Sequence, residues 1–154
     1  MKSVETTEPK VCSVVRPRFC TAIPTVAVAR PSPTDAGSVL VWGSKDLRGK
    51  FLEEIGAQIP AEVERLAGDG PYATMPADQL IRIDDSDALV VAGTQAEQAA
   101  FAALPGYAQL QLVQQSKVVT LDDEQSAALA FGSVLSLPAV VDEVAGRTAR
   151  AVAR

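Results

Sequence analysis

From Thr25 onward, short continuous apolar runs take turns with longer stretches whose apolar residues recur at helical spacing. TVAVA (25–29) and SVLVW (38–42) have strand length and strand composition, and PSPTDAG between them is a turn cluster. The pattern predicts two strands joined by a loop. In KDLRGKFLEEIGA, Leu47, Phe51, Leu52 and Ile55 fall on one helical face and Gly56 is placed to stop the helix. QIPAEVERLAGDGPYAT, with two prolines and a Gly-Asp-Gly, reads as a surface loop that leaves room for a helical turn at AEVERL. Pro76 suits the first position of a helix, which puts Asp78 in its first turn and turns Leu80 and Ile83 inward. IDDSD ends that helix, DALVVAG is a buried strand, and QAEQAAFAAL is a helix broken at Pro105-Gly106. GYAQLQL reads as a short helical piece, KVVTLD as a strand and DDEQSAALAFGS as an acidic loop. In the last stretch Val140, Val141, Val144, Thr148 and Val152 recur at near-helical spacing, which predicts a final helix packed on the sheet.

Strands that alternate with helices predict a three-layer α/β/α unit around a mostly parallel sheet. That unit spans residues 25–154, and residues 1–24, which mix charge, proline and β-branched residues without a period, are expected to be a disordered lead-in. In such sheets ligands bind beyond the carboxyl ends of the strands. Those ends are Trp42 to Ser44, Gly93 to Gln95 and Asp122 to Gln125.

Composition narrows the chemistry. With 154 residues, 47% of them hydrophobic, and a net charge of −5, the chain has globular composition and lacks the clustered basic residues of a nucleic-acid surface. It has no histidine, so the commonest general base and most transition-metal sites are missing. Cys12 and Cys20 are spaced neither for zinc nor for a redox C-x-x-C, and whether they pair is open. No continuous apolar segment of an export signal stands at the start, and no apolar run reaches the length of a membrane span.

Each candidate motif has a plain structural reading beside the functional one. GDGPY lacks the third glycine and the strand–helix context of a dinucleotide loop, so a turn is favoured. Asp84, Asp85 and Asp87 lack the glycine and the distal glutamate of a calcium loop, and read as a solvated turn. Asp122, Asp123 and Glu124 read as wet carboxylates after a strand rather than as an acid–base pair. Trp42, Tyr72, Tyr107 and Phe131 are core candidates by default, although Trp42 ends a strand and Tyr72 lies in a polar stretch. The dipole of the helix that Asp78 opens, worth about 0.3–1 kcal/mol, is enough to explain it, and docking on arginines of a partner is the sharper alternative.

Taken in order, TVAVARPSPTDAGSVLVWGSKDLRGKFLEEIGAQIP, MPADQLIRIDDSDALVVAG, LPGYAQLQLVQQSKVVTLDD and AFGSVLSLPAVVDEV resemble the C-terminal lobe of the iron-siderophore and vitamin B12 substrate-binding proteins of ABC importers. The resemblance runs from Thr25 to the end and is nearest to actinobacterial siderophore-binding lipoproteins. It rests on the glycine-stopped helix FLEEIGA, on the small helix begun by Pro76-Ala77-Asp78-Gln79-Leu80, and on Asp84-Asp85-Ser86-Asp87 leading into a strand. Tyr107 stands where the family has a tryptophan, and Asp78 where it has a glutamate that docks the lobe on permease arginines, one methylene longer.

The resemblance implies one lobe of a two-lobed periplasmic-binding-protein fold, located in the cell envelope, without catalysis or cofactor, with a ferric siderophore and an ABC permease as partners. Strand-end geometry and resemblance together give Trp42, Ser44, Tyr72, Thr94 and Gln125 as ligand-binding candidates, with Asp78 as the permease contact and Arg48 and Arg65 as basic residues near the rim. The first lobe, linker helix and lipoprotein signal of the family have no counterpart in the first 24 residues, so a truncated protein that binds ligand weakly or not at all is expected. The alternatives are a small nucleotide- or flavin-binding α/β domain, which needs a phosphate loop after the first strand, and a nonfunctional remnant.

Overall fold

The structure, a computed structural model, describes residues 23–131 and 137–153. The strands are β1 (Val26–Pro31), β2 (Ser38–Trp42), β3 (Tyr72–Pro76), β4 (Ala88–Val91) and β5 (Val118–Thr120). They form one sheet in the order β3-β2-β1-β4-β5. β1 pairs in parallel with β4, and β4 with β5, while β2 is antiparallel to both β1 and β3. Four of the five strands therefore point one way, as expected of a mostly parallel sheet, and β2 alone is reversed. The helices are α1 (Leu47–Glu54), α2 (Ala61–Ala67), α3 (Gln95–Ala102), α4 (Gln111–Gln114), α5 (Asp123–Phe131) and α6 (Leu137–Val152), with 3₁₀ turns at Ala77–Ile83 and Tyr107–Gln109.

Burial follows from this order. Val26 to Ala29 and Ala88 to Val91 are buried without alternation, because the central strands are covered on both faces by helices. β3, at the edge, alternates instead: Ala73 and Met75 are buried while Tyr72, Thr74 and Pro76 are exposed. Asp87 ties the two central strands at their start, its carboxylate accepting from the Thr25 backbone N–H at 2.8 Å and from the Thr25 hydroxyl at 3.1 Å. Asp84 accepts from the backbone N–H groups of Gln111 and Leu112 at 3.0 Å, capping the start of α4. The acidic run 84–87 thus holds neighbouring segments in place.

Four sequence expectations change. The stretch taken as a loop before Thr74 contains α2 and β3, because Val63 packs into the core and the small residues of β3 pair along the whole of β2. Pro76 ends β3 and precedes a 3₁₀ turn rather than opening an α-helix, although Asp78 does lie in that first turn and Leu80 and Ile83 are buried. Leu47 does not join the face of Phe51, Leu52 and Ile55; it is 47% exposed at the start of α1. The acidic loop after β5 is helical from Asp123, since the Asp122 carboxylate accepts from the Gln125 N–H at 2.7 Å and two acids stand in the first turn, where the helix dipole favours them. Residues 1–22, with Cys12 and Cys20, and 132–136 lie outside the described residues, as do the side chains of Val140, Val141 and Phe131.

Candidate functional site

β1 is apolar until Arg30, its fifth residue, which emerges where β4 and β5 end: Ala29 pairs with Val91, and Val91 with Thr120. β4 then breaks at Gly93, held at φ +125°, a backbone conformation that side chains rarely adopt. Thr94 turns the chain into α3. Its hydroxyl accepts from the Glu97 N–H at 3.3 Å while the Glu97 carboxylate accepts from the Thr94 N–H at 2.8 Å, a reciprocal cap. Arg30 reaches the other oxygen of the same carboxylate at 2.5 Å. The Thr94 N–H first, and the Arg30 guanidinium second, hold the Glu97 carboxyl below its ordinary pKa. The Nε of Arg30 is buried and has no hydrogen-bond partner among the described residues.

Across the opening stands Trp42, 5% exposed, with the Arg48 guanidinium carbon 4.5 Å from its ring centroid. Asp46 caps α1 through the Arg48 N–H at 2.9 Å and binds the Arg48 guanidinium at 3.0 Å, which fixes that cation over the ring. Arg30, Trp42, Arg48, Gly93, Thr94 and Glu97, with Asp123, Ser126 and Leu129 of α5, surround a pocket of about 160 Å³. Ser126 closes its floor by donating to the Gly93 carbonyl at 3.0 Å and accepting from the Gly93 N–H at 3.1 Å.

Of the residues singled out by strand ends and resemblance, Trp42 and Thr94 line this pocket together. The others do not. Because β2 is the reversed strand, Trp42 falls beside Val28 and the chain beyond it heads toward the opposite end of the sheet. Ser44 is carried to α2, where Glu64 accepts from its N–H at 2.6 Å and from its hydroxyl at 2.9 Å. Tyr72 stands on the edge strand, 47% exposed. Gln125 is buried in α5 and occupied by the Asp122 N–H at 3.2 Å and by Arg147 at 3.3 Å. Arg48 is in the pocket, whereas Arg65 pairs with Glu62 at 2.6 Å on the surface of α2. Asp78 is exposed beyond the end of β3.

Arg30 and Glu97 were missed by sequence reasoning, yet a charge ending an otherwise buried strand was the available signal for Arg30. The PSPTDAG loop leads from β1 into the antiparallel β2, so it closes a hairpin and forms no strand–loop–helix phosphate cradle. Among the described residues no group of three or more acidic or thiol side chains is placed to hold a metal ion, and no helix is long and apolar enough to cross a membrane.

The sequence matches no protein-family model and no curated protein. Solved structures do share the fold. The Streptococcus pneumoniae iron-uptake ABC transporter substrate-binding protein PiaA in complex with ferrichrome superposes with a TM-score of 0.68 at 18% identity, over 84% of this chain and 44% of that one. A periplasmic solute-binding protein from Mycobacterium smegmatis gives 0.69 at 23% identity, over 88% and 44%. Staphylococcus aureus FhuD2 with bound ferrioxamine B gives 0.66 at 12% identity, over 84% and 49%. The fold is that of iron-siderophore ABC substrate-binding proteins, and the chain spans about half the length of the proteins it matches.

Proposed function

We propose that this chain is the C-terminal lobe of the substrate-binding component of an iron-siderophore ABC importer. It is a binding module of the cell envelope that presents one wall of a ferric-siderophore cleft and docks on a membrane permease. The observation that carries the reading is the fold shared, over about half their length, with proteins solved with ferrichrome and ferrioxamine B.

The chemistry of the pocket agrees with it. Two guanidinium groups and an indole converge at the carboxyl end of the sheet, a combination suited to a bulky ligand with negative oxygens and apolar edges. Asp78 carries its carboxylate into solvent past the end of β3, where it can meet a basic permease surface.

The sole tryptophan provides the test. Titrating ferrichrome or ferrioxamine B should quench Trp42 fluorescence saturably, with a Kd of about 0.1 mM, equivalent to roughly 5–6 kcal/mol. Arg48→Ala should weaken that binding about tenfold. Quenching that rises without saturation, or saturates equally in the variant, would refute the assigned site.

A further inference from the structure

We propose that the pocket selects ferric complexes without net negative charge, such as iron held by three hydroxamates, and rejects polyanionic ones, such as iron held by three catecholates. The selectivity rests on the siderophore reading above and sharpens it.

The turn from β4 into α3 carries three successive backbone N–H groups, at Gly93, Thr94 and Gln95, the kind of donor set that binds anions at helix starts. Here oxygens of the chain itself take all three. Gly93 N–H donates to the Ser126 hydroxyl at 3.1 Å, Thr94 N–H to the Glu97 carboxylate at 2.8 Å and Gln95 N–H to the Asp123 carboxylate at 3.1 Å. An anionic ligand would have to displace two carboxylates from this turn. The guanidinium groups are matched as well, Arg30 by Glu97 at 2.5 Å and Arg48 by Asp46 at 3.0 Å.

Charge follows from these pairs. Arg30 and Arg48 face Glu97 and Asp123 in the lining, and Asp46 beside Arg48 adds a third carboxylate, so among the described residues the site carries one negative charge in excess. The four side chains of the two ion pairs are 16% to 31% exposed, where solvent ions screen a charge less than at the open surface. The net charge of the whole chain, −5, has the same sign. A guanidinium has five N–H groups, so pairing with one carboxylate cancels its charge without using all of its donors. Such a site can hydrogen-bond the oxygens of a neutral complex, and it repels surplus negative charge. Three hydroxamates neutralise a ferric ion, whereas three catecholates, each doubly charged, leave the complex with three negative charges.

The test is equilibrium dialysis of the full chain against ferrichrome, which is neutral, ferrioxamine B, which carries an added ammonium, and ferric enterobactin, a tris-catecholate, each at low and at high salt. At low salt ferrichrome should bind about tenfold tighter than ferric enterobactin or better. Salt should leave ferrichrome unchanged, weaken ferrioxamine B and strengthen ferric enterobactin. Asp123→Asn keeps an oxygen for the Gln95 N–H but loses the charge, and should narrow the ratio severalfold. Asp85→Asn, an equal change of net charge before the start of β4, should narrow it less. Ferric enterobactin bound as tightly as ferrichrome at low salt would overturn the proposal. So would a preference that neither salt nor Asp123→Asn alters, which shape alone would then set, or one that both substitutions narrow equally, which would belong to the whole chain. If none of the three complexes binds, the siderophore reading itself falls, and this selectivity with it.

Discussion

At the scale of single residues, the account depends on how tightly the pocket's charges are fixed before any ligand arrives. Arg48 is held by Asp46 and rests on Trp42, and Arg30 is held by Glu97, so neither guanidinium has to be ordered at the moment of binding. Glu97 also closes the cap of α3, and its carboxyl is lowered by the Thr94 N–H and by Arg30. A lowered folded-state pKa means that this stabilisation is present above the unfolded carboxyl value, near 4.3, and fades as pH falls through the folded value. Glu97→Gln, which keeps the capping acceptor but loses the charge paired with Arg30, should therefore cost up to about 1 kcal/mol at neutral pH, and should flatten the acid limb of the stability curve. Urea unfolding at several pH values checks both. A variant with the same acid slope as the parent would mean that the Arg30–Glu97 pair and the cap carry no charge-dependent stability.

At the scale of elements, α1 lies close against the turn that leaves β2. A Cβ added to Gly49 would stand 2.1 Å from the Gly43 carbonyl oxygen, backbone against backbone, so neither side can yield without moving α1. Gly49→Ala should destabilise the fold by about 2 kcal/mol or more and displace Arg48, so thermal unfolding should fall by several degrees and Trp42 emission should shift red together. An unchanged melting temperature would place α1 elsewhere. Elements with a strong single period were legible in the sequence: β1, β2, β4, β5, α1, α3 and α6 stand where apolar runs or helical spacing put them. β3 was hidden because an edge strand shows only two buried side chains, Ala73 and Met75, amid proline and glycine, whereas α2 lies where the sequence left room for a helical turn at AEVERL. α5 was hidden because its start is fixed by Asp122 and its first turn is acidic, which reads as solvent exposure when no dipole is in view. For the site, the reversed direction of β2 was decisive. The sequence places Trp42 and Ser44 side by side, but pairing with β1 sends one to the pocket and the other to Glu64.

At the scale of the whole molecule, the sheet carries its pocket at the carboxyl end of β1 and β4, and the solved proteins that share the fold are about twice as long as this chain. On the proposed reading, the second wall of the cleft belongs to another lobe. The basic and aromatic residues gather at the carboxyl end of β1 and β4, so Arg48→Ala should break ligand binding there. The most direct measurement of the central claim is amide and indole NMR of the chain titrated with the gallium form of ferrichrome, a diamagnetic stand-in for the ferric complex. Shifts concentrated at Arg30, the Trp42 indole, Gly93 and Thr94, and growing to saturation, are the predicted result. Shifts that avoid these residues, or none at millimolar ligand, would contradict the siderophore reading of this pocket.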